Sequence, residues 1–226
     1  MQEFLRQIMP NVMSKPDILW RSMTDTLAML GWSGSLSFLI GLILGVALIV
    51  TKKGGVMENG VLYQTLDKVI NFFRSIPFII LLAGLIPLTR IMMGTAIGVR
   101  GAVVPLVFGA TPFFARQIES ALSELDGGVI EAAQSMGSSP LEIILRVYLK
   151  ECIASIARAT SIMTVTLIEL TAMAGAVGAG GLGDFAIRYG HQRNQIDVTY
   201  VTVIILTLLV SVIQMTGTVI ARKNTH

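Results

Sequence analysis

The residues able to do chemistry are few, and their spacing excludes more than it offers. Cys152 is the single cysteine and His191 and His226 are the only histidines. An internal disulfide is therefore impossible, and no metal site of the usual ligand spacing can be built. No Ser, Cys, His and acid constellation with catalytic spacing is visible, so no catalytic residue is assigned and the chain is not expected to be an enzyme. The phosphate-cradling pattern G-x-x-x-x-G-K-[ST] is absent, so ATP hydrolysis is expected in another subunit. The run Gly178-Ala-Gly-Gly-Leu-Gly183 matches G-x-G-x-x-G in letters. That fingerprint needs a strand before it and a helix after it, whereas here it ends an apolar span, so nucleotide binding is not expected.

Two features remain. One is Glu169, an acid inside an otherwise apolar stretch. A charge there costs about 2.5–3.5 kcal/mol to insert, so it is expected to face the bundle interior or a cavity. Thr166, Glu169 and Met173 share a helical face with Ile162, and Met163 lies beside it. That face is a candidate substrate path; the alternative is that Glu169 pairs with an arginine near the outer surface and fixes helix packing. The other is the segment Glu131-Ala-Ala-Gln-Ser-Met-Gly-Ser-Ser-Pro-Leu-Glu142. Glu131 to Met136 read as a helix that Gly137 can end in the left-handed conformation. Ser139, Pro140 and Glu142 then fit a capping box opening a second helix. Val129, Ala132, Ala133 and Met136 form a small apolar stripe on the first helix, suited either to a partner's groove or to its own bundle.

The elements that must hold these residues are membrane helices. Of 226 residues 53% are hydrophobic and 14% charged, where soluble domains carry about a quarter. Residues 26–51 and 198–221 contain no charge, and each is long enough to cross roughly 30 Å of hydrocarbon. A second span is expected from about Val69 to Thr89, with Arg74 near a membrane face, a third over Ile91–Ala115, and a fourth from Ile153 towards Gly175. Gly41 and Gly45 form a G-x-x-x-G pair that admits a close neighbour. The polar stretch 116–151, with six acidic and three basic residues, is expected outside lipid. The fold class is thus an all-α integral membrane protein of about five transmembrane helices, with a cytoplasmic helix-turn-helix between the third and fourth. The N-terminus lacks the features of a cleaved signal peptide, and the first span is expected to serve as the insertion signal.

Basic residues give the orientation. Placing the C-terminus inside puts Lys52, Lys53, Lys68, Arg116, Arg146, Lys150, Arg158, Arg222 and Lys223 in the cytoplasm, and Arg6, Lys15, Arg21, Arg90, Arg100, Arg188 and Arg193 outside. These cations are scattered rather than gathered into a patch, so nucleic acid is not an expected partner.

Glu131-Ala132-Ala133, Gly137 and the closing Val147-Tyr-Leu149 resemble the EAA signature of bacterial ABC importer permeases. Arg74-Ser-Ile-Pro-Phe-Ile-Ile, Pro112-Phe-Phe-Ala-Arg-Gln-Ile-Glu119 and the glycine-rich 172–190 are similar to the methionine importer permeases, over roughly residues 17–222. Lys150 stands where that family carries proline, which bears on the local bend. The resemblance implies an external N-terminal segment over 1–16, a permease domain over 17–222 with a coupling loop at about 117–151, and a cytoplasmic tail over 223–226. It implies an inner-membrane homodimer working with two ATP-binding subunits, which use ATP and Mg, and an external methionine-binding protein. It also implies that Glu131, Ala132, Ala133, Met136, Gly137, Ser139 and Glu142 couple to the ATPase. Arg188, Tyr189, His191 and Arg193 would form an outer loop able to meet the binding protein. The rival expectation is a transporter or channel driven by an ion gradient, with Glu169 and Arg74 as coupling charges.

Overall fold

The computed structural model describes residues 9–224, and the expected segments 1–8 and 225–226, with Arg6 and His226, lie outside the described residues. Among the described residues every regular element is a helix. A short α1, Pro10–Met13, precedes α2, Pro16–Thr51, which contains the first charge-free run. Helix α3, Gly60–Ser75, is N-capped by Asn59, whose side-chain oxygen accepts from Leu62 N at 3.1 Å. It stops at Ile76, where the following Pro77 disfavours helical geometry.

The expected second span is divided here. α4, Phe78–Gly84, and α5, Ile86–Met93, are separate short helices, with Pro87 in the first turn of α5. Average hydropathy over 69–89 is blind to these breaks, although Pro77 and Pro87 mark them. Helix α5 ends at Gly94 in the left-handed conformation, φ 74°. Helix α6, Gly98–Ser123, continues well past the expected polar boundary, so residues 117–123 extend a helix rather than open the loop. After the turn that follows α6, helices α10, Ile153–Ala174, and α12, Ile196–Lys223, match the two remaining expected spans closely. Four helical stretches among the described residues are long and apolar enough to cross a membrane: Pro16–Thr51, Gly98–Ser123, Ile153–Ala179 and Ile196–Lys223.

The chain divides into two compact units. The first holds residues through Ser35, Pro77–Val107 and Val165–Ile213. Its core includes Val12, Phe185 and Val198, and Thr26 Oγ1 accepts from the buried Leu182 N at 2.8 Å. Asp197 receives the Asn11 and Val12 amides and the Asn11 side chain, which ties α1 to the start of α12.

The second unit holds Leu36–Ile76, Phe108–Thr164 and the chain from Gln214. Here the glycine pair does what its spacing suggests. A Cβ built on Gly41 would stand 2.7 Å from Phe114 Cδ1, and one on Gly45 2.6 Å from Ile118 Cβ and 2.7 Å from the Ala115 carbonyl oxygen. Only glycine lets α2 and α6 approach this closely. Leu48, Ile70 and Ala115 bring α3 against the same place. The second unit contains all nine basic residues expected in the cytoplasm, and the first contains all six of the described residues expected outside.

Candidate functional site: a docking turn

The turn between α6 and α10 is built from local rules. Asp126 caps α7, Gly127–Ser135, with its side chain accepting from Gly128 N at 2.9 Å. At the other end Gly137 has φ 81°. Its amide donates to Gln134 O at 2.9 Å, and the Ser138 amide donates to Ala133 O at 3.1 Å. This pair of bonds is a Schellman motif, which satisfies the last carbonyls of the helix and requires the left-handed residue.

The chain restarts at once. Glu142 N donates to Ser139 Oγ at 3.4 Å, and the Ser139 amide and hydroxyl each donate to Glu142 Oε2 at 2.9 Å. This is the expected capping box, with Pro140 at the start of α8, Pro140–Glu142. The Ser139 amide first, then its hydroxyl, hold the Glu142 carboxyl below its usual value. A π-helical segment, Ile143–Tyr148, and α9, Leu149–Glu151, follow. The helix therefore runs straight through Lys150, and the break that the family's proline would make falls at Cys152, φ −93° and ψ 14°.

The two faces of this turn differ. Ala133, Ile143 and Tyr148 are buried against the chain itself. On the other side Met136 is 79%, Leu141 67%, Leu145 62% and Val129 44% exposed. Ala132 is exposed beside them, and Glu131 is exposed without an ion pair among the described residues. The apolar stripe thus splits: Ala133 serves the protein's own packing, and Val129, Ala132 and Met136 face outwards. Single exposed apolar side chains are ordinary, but four large ones on one capped turn make it a candidate interaction surface.

Sequence reasoning missed what anchors the turn. Glu124 Oε2 accepts from Ser155 Oγ at 2.5 Å and lies 3.7 Å from Arg158 Nη2, joining the start of the loop to the base of α10. Further along α6, Arg116 binds Asp67 of α3 and, at 2.7 Å, Glu119. Tyr63 OH lies 3.5 Å from the same Glu119. Apart from the Arg116–Glu119 pair, which is three residues apart, these contacts join residues 31 to 56 positions apart, so spacing gives no signal of them.

The remaining expected sites are less assembled. On α10, Met163 is only 2% exposed and Thr166 half-buried, while Glu169 and Met173 are exposed along one face with Ile162. No ion pair to Glu169 exists among the described residues. The glycine-rich segment leads into α11, Gly181–Asp184, and a π-helical segment, Phe185–His191. There is no strand before it, in keeping with the rejection of a nucleotide site. In the expected outer loop Arg188 pairs with Asp184 at 3.0 Å and Arg193 lies over the Tyr189 ring at 4.7 Å, so both cations are engaged within the chain. His191 is exposed.

Several long apolar helices define a multi-pass integral membrane protein. The chain belongs to the family of binding-protein-dependent transport system inner membrane components, which matches residues 37–224. It is 47% identical over 210 residues, 93% of each chain, to the probable D-methionine transport system permease protein MetI of Vibrio cholerae. It is 46% identical over 166 residues to the D-methionine transport system permease protein MetI of Escherichia coli, covering 72% of this chain and 76% of that one. A solved structure of inward-facing conformations of the MetNI methionine ABC transporter superposes with TM-score 0.92 at 44% identity, over 94% of this chain and 99% of the other. The protein is accordingly an inner-membrane transport component.

Proposed function

We propose that the chain is the permease subunit of an ATP-driven importer of methionine, working as a homodimer with two ATP-binding subunits and an external methionine-binding protein. The observation that carries this reading is the exposed apolar face of Val129, Ala132, Met136, Leu141 and Leu145 on a turn whose geometry is fixed by Gly137 and Ser139. The identity to D-methionine permeases and the likeness to a methionine transporter support the substrate class. ATP and Mg act on the partner subunit. ATP binding draws the two partner subunits together, and the docking turns transmit that movement to the helices they cap.

The turn and the C-terminus face the cytoplasm and the N-terminal segment faces outside. The segregation of basic residues between the two units supports this orientation. Residues 17–222 form the permease domain. Met163, Thr166, Glu169 and Met173 lie along the substrate path, and Arg188, Tyr189, His191 and Arg193 lie where the external binding protein docks.

An exposed, unpaired Glu169 on a spanning helix is consistent with a hydrated path, and it is also the charge that an ion-coupled carrier would use. The test separates these. In proteoliposomes holding permease and ATPase and supplied with the external binding protein, Met136→Asp and Val129→Asp should abolish methionine-dependent ATP turnover and uptake together. Intact ATP-coupled uptake in both variants, or gradient-driven uptake without the ATPase, would sink the proposal.

A further inference from the structure

The first unit contains a cavity of about 550 Å³, within the range of small-molecule sites. No residue of the docking turn or of the α10 substrate face lines it. One wall is α2, which presents Asp17, Arg21 and Asp25 one helical turn apart, a rise of about 6 Å between neighbours. Opposite charges at this spacing can pair. None of the three has a side-chain hydrogen bond or ion pair among the described residues. The second guanidinium of the cavity, Arg188, is already engaged by Asp184.

The facing wall is glycine backbone. Gly178, Gly180 and Gly181 have φ of 101°, 81° and 79°, and a Cβ on Gly180 would stand 3.4 Å from Asp25 Oδ2. The positive φ at these positions favours glycine, so backbone rather than side chain faces the Asp25 carboxylate. Ile18, Val99 and the Tyr189 ring add apolar surface.

This arrangement selects a ligand by its charges. An anion would meet one unengaged cation among three carboxylates. A cation would leave Arg21 without a partner. A zwitterion with an apolar tail satisfies both charges at once and covers the apolar wall. We infer that the cavity is a binding site for a free zwitterionic amino acid on the permease itself, with Arg21 receiving its carboxylate and Asp25 its ammonium group. The inference rests on the reading of the chain as an amino-acid importer and adds a site distinct from the α10 face. It makes the permease able to hold substrate without the external protein.

The test is equilibrium binding to the permease–ATPase complex in lipid nanodiscs, without the external protein, using methionine and methionine amide, which lacks the carboxylate. The native complex should bind methionine at least about tenfold more tightly than the amide, the scale of one charge-assisted hydrogen bond. Arg21→Gln should erase that preference, and Asp25→Asn should weaken both ligands by about tenfold. No saturable binding, or a preference that survives Arg21→Gln, overturns the assignment. Loss of external-protein capture in Arg21→Gln, with no methionine binding in the native complex, assigns the surface to protein docking and also overturns it. ATP-driven uptake with all subunits present is measured on the same preparation. Uptake without direct binding refutes the cavity alone, and binding with the preference intact but without uptake supports the cavity and refutes the importer reading.

Discussion

Replacement of Gly137 isolates the geometry of the docking turn from its chemistry. At φ 81° an L side chain is strained, yet a Cβ built there meets nothing within 4 Å. The whole penalty is therefore backbone, about 1–2 kcal/mol for an ordinary residue. Asparagine tolerates the left-handed region and should cost less. A β-branched residue should cost most, because its Cβ substituents crowd the backbone. The turn's two amide bonds to Gln134 O and Ala133 O are main-chain bonds and survive each change. A cost of 1–2 kcal/mol shifts the population of the formed turn about 5- to 30-fold. Gly137→Asn, Gly137→Ala and Gly137→Val should therefore weaken capture of the ATPase subunit in that order, with thermal stability of the solubilised permease almost unchanged. Equal capture by the asparagine and valine variants would refute the argument that left-handed backbone at this position sets the docking surface.

Three further outcomes are expected. Gly45→Val drives its side chain into Ile118 and the Ala115 carbonyl and should cost about 1–3 kcal/mol, read as a lowered Tm in detergent, whereas Gly31→Val, with open space around it, should not. Arg116→Gln leaves Asp67 and Glu119 without their cation in a partly buried site and should destabilise by about 2 kcal/mol in chemical unfolding; adding Asp67→Asn should recover part of the loss. Cys152 is buried, and burial first, then the Glu124 and Glu151 charges, push its thiol above the ordinary value. At pH 7 it should react with a small maleimide at least about tenfold more slowly than a cysteine introduced by Ser120→Cys, and rise to the same rate after denaturation.

What was legible in the sequence was local or compositional. The capping box of Ser139 and Glu142 and the turn at Gly137 each rest on interactions within six residues, so their residue types announce them. The charge-free runs named α2 and α12 because hydrocarbon thickness alone sets their length. The division of the second expected span went unseen because mean hydropathy does not register the breaks at Ile76-Pro77 and before Pro87. Polar residues 116–123 looked like loop, but Arg116 pairs with both Glu119 and Asp67, and α6 continues through them. The pairing with Asp67 depends on a residue 49 positions away and leaves no pattern. The missing proline at Lys150 suggested a lost bend, whereas the chain bends two residues later at Cys152.

This permease should move methionine only when a separate ATPase engages the docking turn. The most direct measurement is radiolabelled methionine uptake into proteoliposomes holding the permease, with the ATPase subunit, external binding protein and ATP each left out in turn. The account predicts accumulation only with all present, and loss of it when Met136→Asp replaces the native permease. Accumulation driven by an ion gradient without the ATPase would contradict it.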